Sequence, residues 1–247
     1  MKPVQLVYHR GDNTNAPENT FASAESAISA GADYIEFDVH ESADGILYVI
    51  HDETVDRTTD GTGTIASMTS AEIDRLDAGA WFDPTFAGEP VPRLDDFLRR
   101  LKGRIGIYCE IKQANAQKVV DMLDAFAFGD DVFVSSFSAD IRNDLRRIAP
   151  DLKRNVQLHV AGSLEQAIHH EQAHIFEFLE DNVTRDGIQA ARNRGLKTMV
   201  FIDTPNAELF ARLVEWQIDY VNLDFTALFR AVQHEVMLGF DDAGMAC

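Results

Sequence analysis

The run Leu94-Asp95-Asp96-Phe97-Leu98-Arg99-Arg100-Leu101-Lys102-Gly103 leads directly into Arg104-Ile105-Gly106-Ile107-Tyr108-Cys109-Glu110-Ile111-Lys112. Apolar residues in the first run recur three and four positions apart, which is one face of a helix. Gly103 follows where a left-handed cap residue is expected. The second run is apolar and aromatic until Glu110, the pattern of a buried strand with a polar end. Residues 115–127 then return to helical spacing. A helix, a strand and another helix in ~35 residues imply a crossover unit and a parallel sheet.

The same alternation runs along nearly the whole chain. Strands are expected at 4–9, 33–40, 46–51, 104–111, 131–136, 154–160, 174–180, 197–203 and 219–224. Helices are expected at 18–30, 94–102, 115–127, 138–148, 163–172, 184–194, 206–216 and 226–238, with Gly31 and Gly195 as further caps. Eight strand–helix units in ~250 residues favour an α/β fold of the TIM (β/α)8 barrel type over an open sheet. A dinucleotide-binding reading fails because no Gly-rich fingerprint follows the first strand. The stretch between His51 and Leu94 has no long strand or helix pattern. It is read as an insertion of about 40 residues, at 53–92, that follows the second strand unit, with one short helix announced by the capping-box spacing of Thr69 and Glu72. Without repeats or a linker, residues 1–247 are expected to form a single domain.

Composition narrows the function. The chain has 247 residues, 45% apolar and 26% charged, which excludes collagen-like, disordered and disulfide-rich classes. Asp plus Glu number 41 against 22 Lys plus Arg, a formal charge of −19. Such a surface repels polyanions, so neither nucleic acid nor stable membrane association is expected. No run approaches the ~20 apolar residues of a membrane span, and Met1-Lys2-Pro3 opens straight onto a strand pattern, so a cytoplasmic protein is expected. Cys109 and Cys247 are read as free thiols. A homo-oligomer is compatible with the sequence.

In a barrel, reactive side chains project from the C-terminal strand ends and the loops after them. Those positions hold His9, Arg10, Glu36, Asp38, His51, Glu110 and Lys112. Glu36 and Asp38 are two apart, as are Glu110 and Lys112, so each pair shares a sheet face. Three converging carboxylates repel one another unless a hard cation compensates, which suits one divalent ion, Mg²⁺ or Ca²⁺. Arg10 and Lys112 then fit a phosphate, and two imidazoles supply a base and an acid near neutral pH. This is the chemistry of metal-assisted phosphodiester cleavage.

The ordered set His9-Arg10-Gly11, Ala16-Pro17-Glu18-Asn19-Thr20, Gly31-Ala32-Asp33, Glu36-Phe37-Asp38-Val39, Asp44-Gly45 and His51-Asp52 resembles the glycerophosphodiester phosphodiesterase family. Arg57-Thr58-Thr59, Gly61-Thr62-Gly63, Leu76-Asp77-Ala78-Gly79, Gly88-Glu89, Glu110-Ile111-Lys112 and Ser136-Phe137 extend the likeness, which is dense over the first 140 residues. The resemblance implies a TIM barrel that hydrolyses glycerophosphodiesters to glycerol 3-phosphate and an alcohol. Small water-soluble diesters are expected, because segment 53–92 shows no contiguous apolar stripe for a lipid tail. The resemblance also implies His9 and His51 as the acid/base pair, Glu36, Asp38 and Glu110 as metal ligands, and Arg10 and Lys112 on the phosphate. Where the family has a Trp-Thr-Val-Asn-like end to the seventh strand, this chain reads Phe201-Ile202-Asp203-Thr204, so Phe201 is the aromatic expected to meet substrate. Leu223-Asp224 likewise departs from the family's Thr-Asp.

Two rival readings stay open at this point: a phospholipase D-like barrel that cleaves lysolipids, and a non-catalytic phosphate-binding barrel. Asn15 and Glu18 have capping-box spacing with Pro17 in the first turn, so a helix start is expected there, ahead of a role for Glu18 and Asn19 in buttressing the loop after the first strand. His40 shares the period of Glu36 and Asp38 and is placed at the pocket rim.

Overall fold

The computed structural model describes residues 2–244. In chain order its elements are β1 (Gln5–Tyr8), α1 (Phe21–Ser29), β2 (Tyr34–Glu41), β3 (Leu47–Val49), α2 (Ser70–Ile73), α3 (Leu94–Leu101), β4 (Gly106–Gln113), α4 (Ala116–Phe126), β5 (Val132–Ser135), α5 (Ala139–Ile148), β6 (Lys153–Gln157), α6 (Leu158–Ala161), α7 (Leu164–His169), β7 (Ile175–Leu179), α8 (Arg185–Arg192), β8 (Lys197–Ile202), α9 (Ala207–Glu215), β9 (Tyr220–Leu223) and α10 (Thr226–Gly244). The strand order is β1-β9-β8-β7-β6-β5-β4-β2-β3, and β1 also pairs with β2, so the strands other than β3 close into an eight-stranded parallel barrel. Two compact units divide the chain at β1 and β6, one holding Tyr8–Arg154 and the other the segments before and after it.

Within the unit Tyr8–Arg154, β2 pairs with β4 and β4 with β5, all parallel. β2 is buried from Tyr34 through His40, as expected for a strand covered on both faces. α3 shows how the helices attach: Leu94, Phe97, Leu98 and Leu101 are buried, and Phe97 packs edge-on against Phe37 at 5.1 Å. Burial of each such side chain contributes roughly 1.5–3 kcal/mol. Asp95 and Asp96 sit in the first turn of α3 and Arg99 and Arg100 in the last, complementing the helix dipole. In the second unit β6, β7, β8 and β9 form a parallel ladder in that order. Its helices pack through contacts such as Phe210 on Phe229, 5.2 Å apart.

Several expectations are corrected. The strand run expected at 46–51 is short and antiparallel, with Val39 opposite Val49 and Glu41 opposite Leu47. The connection from Ser42 to Ile46 is too short for a crossover, so the chain returns as a hairpin. Residues 158–160, expected to finish the strand 154–160, belong instead to the helical turn α6, ended by Gly162 in the left-handed region. α1 starts at Phe21, not near 18, with Thr20 as its cap and Ser23 completing the capping box. Asn19 has a φ of +57°, a left-handed conformation that no helix can run through, so the Asn15–Glu18 spacing does not open one. Between β3 and α3 the chain holds only α2 and two short 3-10 turns, around a small core of its own that includes Ile50, Val55, Ile65, Ile73 and Val91. There Thr69 does begin a helix, its N–H donating to Glu72 at 2.8 Å. Cys109 is buried and unbonded, and Cys247 lies outside the described residues. No helix among the described residues is long and apolar enough to cross a membrane.

Gly11 fixes the turn that follows β1. Its φ is +81°, and a Cβ there would lie 2.5 Å from Ser23 Oγ in the cap of α1. Gly11→Ala is expected to lower stability by about 1–3 kcal/mol from backbone strain alone. Thermal unfolding should show it as a fall in Tm of roughly 2–4 °C per kcal/mol. An unchanged Tm would remove the steric argument.

Candidate active site

Strand register builds the centre of the site. β2 and β4 pair so that Asp38 lies opposite Glu110 and Glu36 opposite Tyr108. Glu36, two residues before Asp38, shares its face, and Lys112 shares that of Glu110. The three carboxylates are buried, with 2%, 1% and 8% exposure, and one oxygen of each lies within 4.8 Å of the others. Such proximity is expensive for ionised groups. Burial, then the charges of Asp38 and Glu110, push the Glu36 carboxyl well above its ordinary range. Burial and the Asp38 charge likewise raise Glu110. Burial acts on Asp38 too, but Lys112, His51, Arg10 and a hydrogen bond from Asn19 outweigh it and hold that carboxyl low.

Two cations offset part of the charge. Lys112 Nζ lies 3.2 Å from Asp38 Oδ1 and is also paired with Glu110. Burial works against the ammonium, yet these carboxylates raise its pKa and keep it charged. Arg10 donates its backbone N–H to Glu36 Oε2 at 2.9 Å, and its Nε is 3.6 Å from Asp38 Oδ2. Its φ of +55° is unusual for a residue with a side chain and turns that N–H toward the carboxylate. Asn19 closes the loop, its Nδ2 donating to Asp38 Oδ2 at 2.9 Å and its backbone N–H to Arg10 O at 2.9 Å.

The two histidines lie toward opposite members of the Asp38–Glu110 pair, His9 toward Glu110 and His51 toward Asp38. His51 Nδ1 lies 2.7 Å from Asp52 Oδ1. The Asp52 carboxyl is held ionised, first by its hydrogen bonds from Arg57, so it only accepts and Nδ1 carries the proton. His51 Nε2 is left as the basic nitrogen. Burial, against the pull of Asp38 and Asp52, lowers the His51 pKa and favours that neutral form.

All the sequence-derived site residues of the Tyr8–Arg154 unit thus converge. Phe201 does not belong to that unit: it lies on β8, half-buried, opposite Asn222 of β9. His40 is no rim residue. It is buried at 4% exposure, and its Nε2 meets the carbonyl of His51 at 3.0 Å, fixing the start of the insertion. Glu18 and Asn19 buttress the loop, as the resemblance allowed. Asp52 and Arg57 also hold this constellation, and no spacing rule marks them. The quoted His51-Asp52 and Arg57-Thr58-Thr59 matches were the signal available.

The donor set fits a hard divalent cation. Three buried carboxylates offer oxygen ligands of the kind Mg²⁺ and Ca²⁺ take, within one coordination sphere of each other. A barrel with acidic, basic and imidazole groups at the C-terminal ends of β1, β2 and β4 is that of a phosphate-ester enzyme class. Comparison with known proteins narrows this further. The model of the glycerophosphoryl diester phosphodiesterase family matches residues 9–228, and the chain belongs to that family. A glycerophosphodiester phosphodiesterase of Caldanaerobacter subterraneus subsp. tengcongensis is 41% identical over 157 residues, 60% of this chain, and the match spans 64% of that relative's length. One from Bacillus subtilis is 29% identical over 255 residues, covering 93% of this chain and 86% of its own. Among solved structures, a glycerophosphodiester phosphodiesterase from Agrobacterium tumefaciens superposes with a TM-score of 0.89 at 45% identity, over 92% of this chain and 99% of that one.

The buried carboxylates generate a prediction with a defined sign. Glu36 has a folded pKa raised above its ordinary 4.5, so its burial is favourable below that pH and increasingly costly as pH rises through the folded value. In chelator-treated protein, Glu36→Gln should therefore raise Tm at pH 7 and make little difference near pH 4. Adding Mg²⁺ should raise the Tm of the parent and leave that of Glu36→Gln unmoved. A variant less stable than the parent at pH 7 in chelator would contradict this electrostatic account.

Proposed function

We propose that this chain hydrolyses glycerophosphodiesters to glycerol 3-phosphate and an alcohol, with a divalent cation bound by Glu36, Asp38 and Glu110. The observation that carries the reading is the buried carboxylate triad within 4.8 Å, flanked by His9, His51, Arg10 and Lys112. When bound, the cation supplies positive charge to the phosphate oxygens and offsets the three carboxylates. Arg10 and Lys112 orient the phosphate and add to that charge. His51, neutral and held through Nδ1 by Asp52, presents Nε2 to a proton in flight. His9 supplies the complementary acid or base. One P–O bond forms to the attacking oxygen as the P–O bond to the alcohol breaks, and the proton taken from the attacking oxygen is balanced by one delivered to the departing alkoxide. A phosphodiesterase from Oleispira antarctica with the same fold, at a TM-score of 0.84, was solved with the product sn-glycerol-3-phosphate, and a ligand of that size is proposed here. Phe201 is proposed, on the sequence resemblance, to contact substrate.

Small deacylated diesters are the proposed substrates, since the insertion offers no contiguous apolar stripe for a lipid tail. Its exposed aromatic, Trp81, is tied by Nε1 to the Ala78 carbonyl at 2.8 Å and packed edge-on against Phe82 at 5.8 Å.

Three measurements test the reading. Chelator should abolish turnover and Mg²⁺ or Ca²⁺ restore it; full activity without metal would end the cation assignment. His9→Ala and His51→Ala should each lower kcat by about 100-fold or more while Tm stays nearly constant. A His51→Ala protein that merely unfolds would make that residue structural. Finally, kcat/KM for glycerophosphocholine or glycerophosphoethanolamine should exceed that for a lysophospholipid, and the reverse order would favour the phospholipase-like alternative.

A further inference from the structure

Arg57 lies in the insertion, five residues after Asp52 and 39 after Glu18, with its side chain 43% exposed. A surface arginine beside two acids ordinarily contributes little to stability. This one is different in geometry. Its Nε and Nη2 donate to Asp52 Oδ2 and Oδ1 at 2.8 and 3.0 Å. Its Nη1 and Nη2 donate to Glu18 Oε2 and Oε1, both at 2.8 Å. Two adjoining edges of one planar guanidinium thus each grip a carboxylate in bidentate fashion.

Each of those carboxylates holds a second partner. Asp52 Oδ1 accepts from His51 Nδ1 at 2.7 Å, and Glu18 Oε1 accepts from Arg10 Nη1 at 2.9 Å. The links therefore run His51, Asp52, Arg57, Glu18, Arg10, nitrogen donors alternating with carboxylates and none longer than 3.0 Å. We propose that Arg57 is a positioning residue that ties the imidazole of His51 to the guanidinium of Arg10, so that the proton-transfer group and the phosphate-binding group keep one fixed relation. The inference rests on the acid–base and phosphate roles given above to His51 and Arg10. Arg57 itself touches neither of them and acts through Asp52 and Glu18. His51 and Arg10 enter from different parts of the chain, and their backbones are held separately, His51 by His40 and Arg10 by Glu36; the links through Arg57 join their side chains to each other. A misplacement of about 1 Å at such a pair costs on the order of 100-fold in rate.

The test uses the full chain saturated with Mg²⁺ and glycerophosphocholine as substrate. Arg57→Ala is expected to lower kcat/KM by about 10- to 100-fold. Arg57→Lys, which keeps the charge and most of the stem and so the fold, should recover little, since an ammonium lacks the planar fork that holds two carboxylates each in bidentate fashion. The decisive readout is a double-mutant cycle. In a His51→Ala background the further loss from Arg57→Ala should shrink by about threefold or more, as for groups in one network. A merely structural arginine would cause the same fold-loss in both backgrounds, and that result overturns the proposal. So does full activity of Arg57→Ala or Arg57→Lys beside a crippled His51→Ala protein. If His51→Ala is itself fully active, the acid–base reading falls, and the role of Arg57 through His51 falls with it.

Discussion

Asp38 and Glu110 stand side by side because β2 and β4 pair in that register, and Glu36 sits on the same face one step back. Three carboxylates are thereby removed from water within one ion's reach of each other. A folded chain tolerates this only if surrounding groups carry compensating charge or hydrogen bonds. The polar contacts around the triad can be traced to that constraint. Lys112 spans Asp38 and Glu110, Arg10 supplies a backbone N–H and a guanidinium, and Asn19 caps the remaining Asp38 oxygen. The compensation is incomplete at Glu36, whose raised pKa records the shortfall. An additional positive charge at the triad would relieve the same electrostatic stress that makes the metal-free arrangement costly.

The loop after β1 meets the constraint by adopting conformations that most residues avoid. Arg10 and Asn19 both have positive φ without being glycine. Such a conformation costs about 1–2 kcal/mol per residue, whereas a hydrogen bond to a charged group returns about 1.5–3 kcal/mol. Arg10 recovers its strain through the bond to Glu36, and Asn19 through the bonds to Asp38 and to the Arg10 carbonyl. Sequence exposes this trade poorly, because Asn15, Pro17 and Glu18 are also the residue types that start helices. Local capping preference and a long-range pull by buried carboxylates compete for the same residues, and here the pull wins.

The parallel frame was legible because it rests on periodicity. Runs such as 94–101 and 115–127 carry helical spacing, and α3 and α4 fall within a residue or two of the expected bounds. The triad was legible for a related reason: a spacing of two on a strand fixes a shared face without knowledge of the partner strand. What could not be read is which strands are neighbours. β3 lies between β2 and β4 in sequence yet leaves them adjacent, turning back as an antiparallel arm, and the pattern at 46–51 is apolar in either orientation. Contacts without period were hidden as well. The 39-residue step from Glu18 to Arg57 and the bond from His40 to the His51 carbonyl leave no mark in the order of residues.

A long connection with little regular structure is an unusual base for a group proposed to move protons, a task that demands placement to a fraction of an ångström. The insertion meets that demand with apolar anchors on each side of a short polar stretch. Ile50 and Val55, both buried in the insertion's own core, bracket His51, Asp52, Glu53 and Thr54. The stretch between them is then too short to wander. His40 fixes its backbone at the His51 carbonyl, and Asp52 fixes the imidazole from within the same stretch. The core of the insertion therefore does for His51 what strand register does for Glu36, Asp38 and Glu110: it turns a position in sequence into a position in space. The polar residues could not hold that place alone, since exposed ion pairs contribute little without a rigid backbone to carry them. The apolar anchors could hold the backbone but not orient a ring. Both are present within six residues, from Ile50 to Val55, and together they make a loop as definite as a strand end.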